Sequence, residues 1–183
     1  MTVGIYKEHR AGSKSGSAET RNDERKFVKP LDSTDIRILR TLLREGNIPN
    51  TKLSELVALS TSQCWQRVQR LQRDGYIEGY NAVINHRLLG YSDIVLVEIS
   101  AARDEVTRIA ELYEELSKIP EVLEVHLTSG EYDCFIKVAV DGTRGYENFL
   151  NKKLYRIKGV RNSRSSFSLK CFKNETGFVP DML

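Results

Sequence analysis

Two stretches of this sequence carry side chains whose types and spacing suit recognition of a ligand rather than covalent chemistry. The first is Thr61-Ser62-Gln63-Cys64-Trp65-Gln66-Arg67-Val68-Gln69-Arg70. Ser60 followed three residues later by Gln63 is a capping-box pattern, so a helix begins here. Its inward face is Cys64 or Trp65, then Val68 and Leu71. With Trp65, Val68 and Leu71 inward, Ser62, Gln63, Gln66, Arg67 and Arg70 form an outward polar set. Glutamine matches adenine edges, and arginine pairs with guanine or binds a phosphate. Thr61 and Ser62 sit where helix N-terminal amides attract phosphate. Plainer roles compete: Gln63 completing the cap, Arg70 in a surface ion pair, and Trp65 in a core rather than a base stack. The second stretch is Ser129-Gly130-Glu131-Tyr132-Asp133. Glycine permits a backbone that turns amides towards a carboxylate, and Asp133 is an acceptor for an ammonium group. That is the polar pattern a free amino acid needs. It is also what a good turn looks like.

Nothing points to catalysis or to a metal. His9, His86 and His126 lie in different segments, none at i, i+4 from another ligand type, and His126 reads as a polar-face or interface residue. No phosphate loop, nucleophile elbow or zinc signature occurs. Cys64, Cys134 and Cys171 are odd in number and far apart, which excludes a disulfide scaffold and suits packing.

The elements that must position these residues follow from periodicity. The 183 residues, 40% apolar and 29% charged, make one large domain or two small ones. Residues 1–29, rich in Ser, Gly, Lys, Arg and Glu, are predicted to be a disordered basic arm. Such an arm is either a solubilising tail or a weak phosphate-contacting extension. Residues 1–30 hold seven bases and four acids, so the formal net charge of +3 lies there and the remainder is balanced.

A helix-turn-helix is predicted over 30–79. Asp32 caps a first helix with Ile36, Leu39 and Leu43 on one face, closed by Gly46. Arg37, Arg40 and Arg44 stripe its surface, either solvated or touching a nucleic-acid backbone. Asn50 caps a second helix with Leu53, Leu56 and Val57 on one face. Gly75 closes the third. Residues 80–91 are read as hairpin and linker, with strand character from Tyr76 to Asn85.

Over 92–173 the order is β-α-β-β-α-β, the ferredoxin-like arrangement. Ile94–Ile99 is a strand. Ile109, Leu112, Leu116 and Ile119 mark a helix stopped by Pro120. Leu123, Val125 and Leu127 alternate, as do Tyr132, Cys134, Ile136, Val138 and Val140. Tyr146, Phe149, Leu150, Leu154 and Ile157 mark a second helix. Ser163–Phe172 is the last strand, with Phe167, Leu169 and Cys171 on one side, and 174–183 is a tail. Ile94-Val95-Leu96-Val97 is apolar on both faces, which predicts an uncovered apolar sheet face and a two-fold dimer. It is also the longest aliphatic run, far below the ~20 residues of a membrane span. Met1–Arg10 has no apolar segment of signal-peptide type. A cytoplasmic, nucleoid-associated location is expected.

The motifs Leu31-Asp32, Asp35, Ile38-Leu39, Leu59-Ser60, Arg67-Val68-Gln69-Arg70-Leu71, Gly75-Tyr76-Ile77, Gly79-Tyr80 and Asn85 stand in a characteristic order. His126-Leu127-Thr128-Ser129-Gly130-Glu131-Tyr132-Asp133 and Gly159-Val160 continue it. Over about residues 30–173 the chain resembles the leucine-responsive/asparagine family of bacterial and archaeal transcription regulators. The resemblance implies an α+β protein with an N-terminal helix-turn-helix, winged or plain, that binds double-stranded DNA. It implies a C-terminal ferredoxin-like sensing and dimerisation domain, no cofactor, a free amino acid as effector, and dimers that assemble into tetramers or octamers. It places Gly130, Glu131, Tyr132 and Asp133 in an effector site between dimers, with hydroxyls of the last strand. Family members commonly carry Thr there; this chain has Ser163 and Ser165. The long arm departs from the family's usual short start. Two other classes fit the same architecture. Tetrapyrrole (siroheme) decarboxylases would need histidines and arginines around a large pocket. A nucleoid-architectural protein would bind DNA with little sequence preference and no effector.

Overall fold

Helix formation in the first part of the chain starts from two matched caps. In this computed structural model, which describes residues 29–102, 106–175 and 177–180, α1 (Ser33–Glu45) begins where Asp32 accepts the amides of Thr34 and Asp35 at 2.9 and 2.8 Å. Side chains of 106–109 are outside the description, as is the predicted arm. The Asp35 carboxylate in turn accepts the Asp32 backbone N–H at 3.0 Å, closing a capping box. Gly46 ends the helix with φ +69°, a conformation favouring glycine. The face of α1 that is buried is Asp35, Ile38 and Leu42, with Ile36 beside it; Leu43 is exposed. The expected stripe through Leu43 is therefore rotated, because Ile38 and Leu42 share one face at i, i+4 and win the burial.

α2 (Asn50–Leu56) starts at Pro49, and Asn50 does not cap it. Instead the Asn50 amide donates to the Thr61 carbonyl at 2.8 Å, tying α2 to the start of α3 (Thr61–Arg73). Leu53 and Val57 enter the core, while Leu56 is exposed, contrary to the expected stripe. Residues 57–60 make the turn, with Ala58 at φ +55°. Ser60 and Gln63 form the predicted capping box. Ile38, Leu42, Leu53, Val57, Cys64 and Leu71 are the buried cluster of this unit, each aliphatic side chain contributing about 1.5–3 kcal/mol.

Chain contacts divide at Gly79/Tyr80, with Val179 and Pro180 belonging to the first unit. The expected strand over Tyr76–Asn85 is absent: the segment is irregular, and Val83 is 91% exposed. Without a neighbouring strand its amides have no ladder to join. A short 3₁₀ turn, His86–Leu89, follows, capped by Asn85.

The second unit is a four-stranded antiparallel sheet in the order β2-β3-β1-β4, formed by β1 (Asp93–Ala101), β2 (Val122–Leu127), β3 (Cys134–Val140) and β4 (Val160–Phe167). With α4 (Val106–Ser117) after β1 and α5 (Gly142–Lys152) after β3, this is the predicted βαββαβ order. Val95, Val97 and Ile99 of β1 and Cys134, Ile136 and Val138 of β3 pack with Leu112, Leu116 and Phe149 of the helices. Alternation in β2 is broken by a register shift between Val122 and Glu124. Val122 and Val125 turn inward and Leu123 turns out, correcting the expected face. β4 starts at Val160 and ends at Phe167, so Leu169 and Cys171 lie beyond it, exposed. The opposite sheet face is mixed rather than apolar. Leu96 pairs with Lys137 and Ser166, and Glu98 with Phe135 and Arg164. Lys137 reaches Glu124 at 2.9 Å. His126 lies at 3.3 Å from Glu124 and tilts over Phe135.

Candidate nucleic-acid interface and ligand site

Register decides what α3 presents. Cys64, Val68 and Leu71 lie at i, i+4, i+7 and make the inward stripe; Cys64 and Leu71 are fully buried. Trp65 is one step, about 100°, further round the helix. It is 56% exposed, which corrects the expectation that it packs in the core. Ser62, Trp65, Gln66 and Gln69 are all exposed and fall at i, i+3, i+4, i+7. Thr61 and Gln63 are exposed at the first turn, Gln63 within the cap and Thr61 with its hydroxyl 3.5 Å from that of Ser54.

The two arginines are held elsewhere. Arg67 Nη1 donates to Asp32 Oδ2 at 2.6 Å and to Asp35 Oδ1 at 2.8 Å, and Arg70 pairs with Asp35 Oδ2. Asp35 is fully buried, and Arg70 is mostly covered. One carboxylate therefore closes the α1 cap and clamps two guanidiniums of α3. Burial alone would raise the Asp32 carboxyl, but the Arg67 hydrogen bond and charge, with the Asp35 and Thr34 amides, bring it down to about 2. Breaking a buried pair by removing a partner costs about 3–5 kcal/mol, against about 1–3 kcal/mol from a good base contact. Both guanidiniums are engaged within the fold, Arg67 through Nη1. Gln63, Gln66, Arg67 and Arg70 border a depression with Lys29 and Leu59. On α1, Arg37 donates to Thr34 Oγ1 at 3.2 Å, Arg40 to the Pro180 carbonyl at 2.6 Å, and Arg44 pairs with Glu45 at 3.0 Å.

The turn around Gly130 links β2 to β3. Gly130, at φ +137°, occupies backbone space that L side chains rarely adopt. The Thr128 hydroxyl donates to the Tyr132 carbonyl at 2.7 Å and the Thr128 amide to the Asp133 carbonyl at 3.1 Å. Asp133 is half-buried; its Oδ2 accepts the Ala101 amide at 2.8 Å, and its amide donates to the Ile99 carbonyl. Tyr113 OH donates to the Asp133 carbonyl at 3.0 Å. Gly130 and Glu131 are exposed, Tyr132 half-buried. Ser163 and Ser165 stand opposite Ile99 and Val97 on the neighbouring strand. Ser163 Oγ lies 3.0 Å from Tyr155 OH, and Ser165 Oγ is bonded to Tyr146 OH. The six residues thus form two groups on either side of β1, each already tied into the fold.

Sequence reasoning missed Trp65 and Gln69 as surface residues and Asp35 as the clamp. The i, i+4, i+7 spacing of Cys64, Val68 and Leu71 was the available signal for the first two. Asp35 carried no signal beyond its place in the cap, since its partners are 32 and 35 residues away. Among the described residues, no group of three His, Cys, Asp or Glu is placed to hold a metal, and no helix is long and apolar enough to cross a membrane.

With this geometry in view, two family models match the chain. One described as winged helix-turn-helix DNA-binding covers residues 31–78, and one described as Lrp/AsnC ligand binding domain covers residues 94–178. The leucine-responsive regulatory protein of Haemophilus influenzae is 38% identical over 163 residues, 89% of this chain and 98% of that protein. Its Escherichia coli K12 counterpart is 37% identical over 151 residues, 82% of this chain and 92% of that protein. A transcriptional regulator of Neisseria meningitidis, solved in complex with L-Met, superposes with TM-score 0.77 at 30% identity, covering 81% of this chain and 96% of that one.

Proposed function

The chain belongs to the Lrp/AsnC family of transcriptional regulators, and from that premise we propose that it binds operator DNA through α3 and answers to a free amino acid at the turn around Gly130. The observation that carries the DNA half is the exposed polar stripe of α3 on a helix-turn-helix whose opposite face is buried. Thr61, Ser62, Gln63 and Gln66 meet the DNA, and Arg67 and Arg70 fix the helix that presents them. The regulator acts as a two-fold dimer, whose recognition helices read half-sites about one DNA turn, or a multiple of it, apart. Dimers assemble further into tetramers or octamers at the nucleoid, in the cytoplasm. No enzymatic activity is proposed.

For the effector half, Gly130, Glu131, Tyr132 and Asp133 supply amides and a carboxylate, and Ser163 and Ser165 supply hydroxyls. The L-Met bound to the Neisseria protein makes methionine a first amino acid to try, beside leucine. An effector changes DNA binding only through different affinities for two states of the assembly.

The test is binding of the full-length protein to its own upstream DNA at physiological salt, against bulk competitor, with and without a pool of the twenty amino acids. Nanomolar binding that survives competition and moves with the pool is the expected result. Specific binding indifferent to the pool removes the effector half. Binding no tighter than to competitor supports an architectural role instead.

A further inference from the structure

Resting on the DNA-binding reading above, we propose that bases are read by the uncharged stripe Ser62, Trp65, Gln66 and Gln69, with Trp65 a specificity-determining residue and Arg67 and Arg70 positioning residues. Four exposed residues at i, i+3, i+4, i+7 define one continuous strip of helix surface. The inward stripe of Cys64, Val68 and Leu71 does not include the indole, and more than half of Trp65 is open to solvent. The guanidiniums that would read guanine are held by Asp32 and Asp35, one of them fully buried. Facing outward beside a large apolar ring are the Ser62 hydroxyl and two carboxamides, that of Gln69 donating to Gln72 Oε1 at 3.1 Å. In the major groove, a carboxamide matches the N6 and N7 edge of adenine, and an apolar group matches the thymine methyl. The chemistry under the stripe is that of A·T pairs, with Trp65 seated on thymine methyls.

The chain has a single tryptophan, so its fluorescence reports this position alone. Duplexes are selected from a random pool by the full-length protein and by W65A, and selected thymines are then replaced by uracil, which deletes only the methyl. Uracil is expected to weaken the wild type about fourfold per contacted methyl and to leave W65A unchanged. Acrylamide quenching of Trp65 should fall on saturation with selected duplex. W65F, which keeps an apolar ring, should retain the methyl sensitivity. For the clamp, R67Q and D35N should lower affinity alike, each leaving the slope of log affinity against log salt within half a phosphate contact of wild type. Equal enrichment by wild type and W65A, harmless uracil, or unchanged quenching overturns the role of Trp65. A slope reduced by about one in R67Q, with D35N binding normally, overturns the positioning role. If the wild type enriches no sequence, specific DNA binding itself falls, and this inference with it.

Discussion

The two candidate sites differ in how their polar groups are occupied. On α3, the carboxamides of Gln66 and Gln69 face outward beside Trp65, while Arg67 and Arg70 are clamped by Asp35. At the Gly130 turn and β4 the polar groups point to partners already within the fold: Asp133 to the Ala101 amide, Ser163 to Tyr155, Ser165 to Tyr146. A rigid helix whose exposed carboxamides are either open to solvent or held only by an exposed hydrogen bond, as Gln69 is by Gln72 at 3.1 Å, suits a partner whose shape is fixed, such as duplex DNA. A set of groups that already satisfy one another suits a small ligand that exchanges bonds one for one, which makes binding sensitive to which state of the fold holds those bonds.

The largest expected effect tests the clamp. Asp35→Ala leaves Arg67 and Arg70 without their shared carboxylate and opens the α1 cap, at a cost of about 3–5 kcal/mol. Hydrogen exchange should rise across α1 and α3 while β1 and β3 keep their protection. Uniform loss of protection in both units would mean that the clamp is not local to the helix-turn-helix. Next in size is Asp133→Ala, which orphans the Ala101 amide and should cost the second unit about 1–3 kcal/mol and abolish any amino-acid response while DNA binding persists. Asp133→Asn keeps an acceptor for that amide and removes only the charge. Normal stability without response in Asp133→Asn is expected; a full response in both variants would sink the ligand assignment.

The fold was legible because its cues are local. The capping boxes at Asp32 and Ser60, the alternation of β3 and the helical spacing of Leu112 and Leu116 each lie within a few residues of sequence. What was not legible depended on partners far along the chain. Leu123 was misplaced because a register shift against β3 rotates it outward. Trp65 was misplaced because aromatic size argues for burial, while the position of the inward stripe is fixed by where Leu53 and Val57 pack. The arginines had the right composition for DNA, and only the fold brings Asp35 to them. At the Gly130 turn, residue types were readable but not their internal bonds, since Ala101 lies 32 residues from Asp133.

A smaller effect follows from the Tyr146–Ser165 pair. Tyr146→Phe removes one hydroxyl from a half-buried bond and should cost about 0.5–1.5 kcal/mol of stability. If the effector must displace that bond, the same change frees Ser165 and raises effector affinity by about twofold to twelvefold, measured by calorimetry. Unchanged affinity would place Ser165 outside the ligand's reach.

The smallest effect is the pH dependence of Asp32, and it separates charge from cap. Its carboxyl is held at about 2 in the fold against an ordinary 3.8. A depressed carboxyl stabilises the folded state above the unfolded value, and that stabilisation is lost as pH falls through the folded value. The contribution is therefore full above about pH 5 and gone near pH 1. Asp32 is partly exposed, so screening limits the ion pair with Arg67 to about 0.5–1 kcal/mol. Asn caps helices about as well as Asp, so Asp32→Asn keeps the bonds to the Thr34 and Asp35 amides and deletes only the charge. The variant should be less stable than the wild type at neutral pH, and the two should converge as pH drops from about 5 to about 1, read from melting of α1 and α3. A gap undiminished at about pH 1 would assign the loss to the cap rather than to the pairing that orients Arg67.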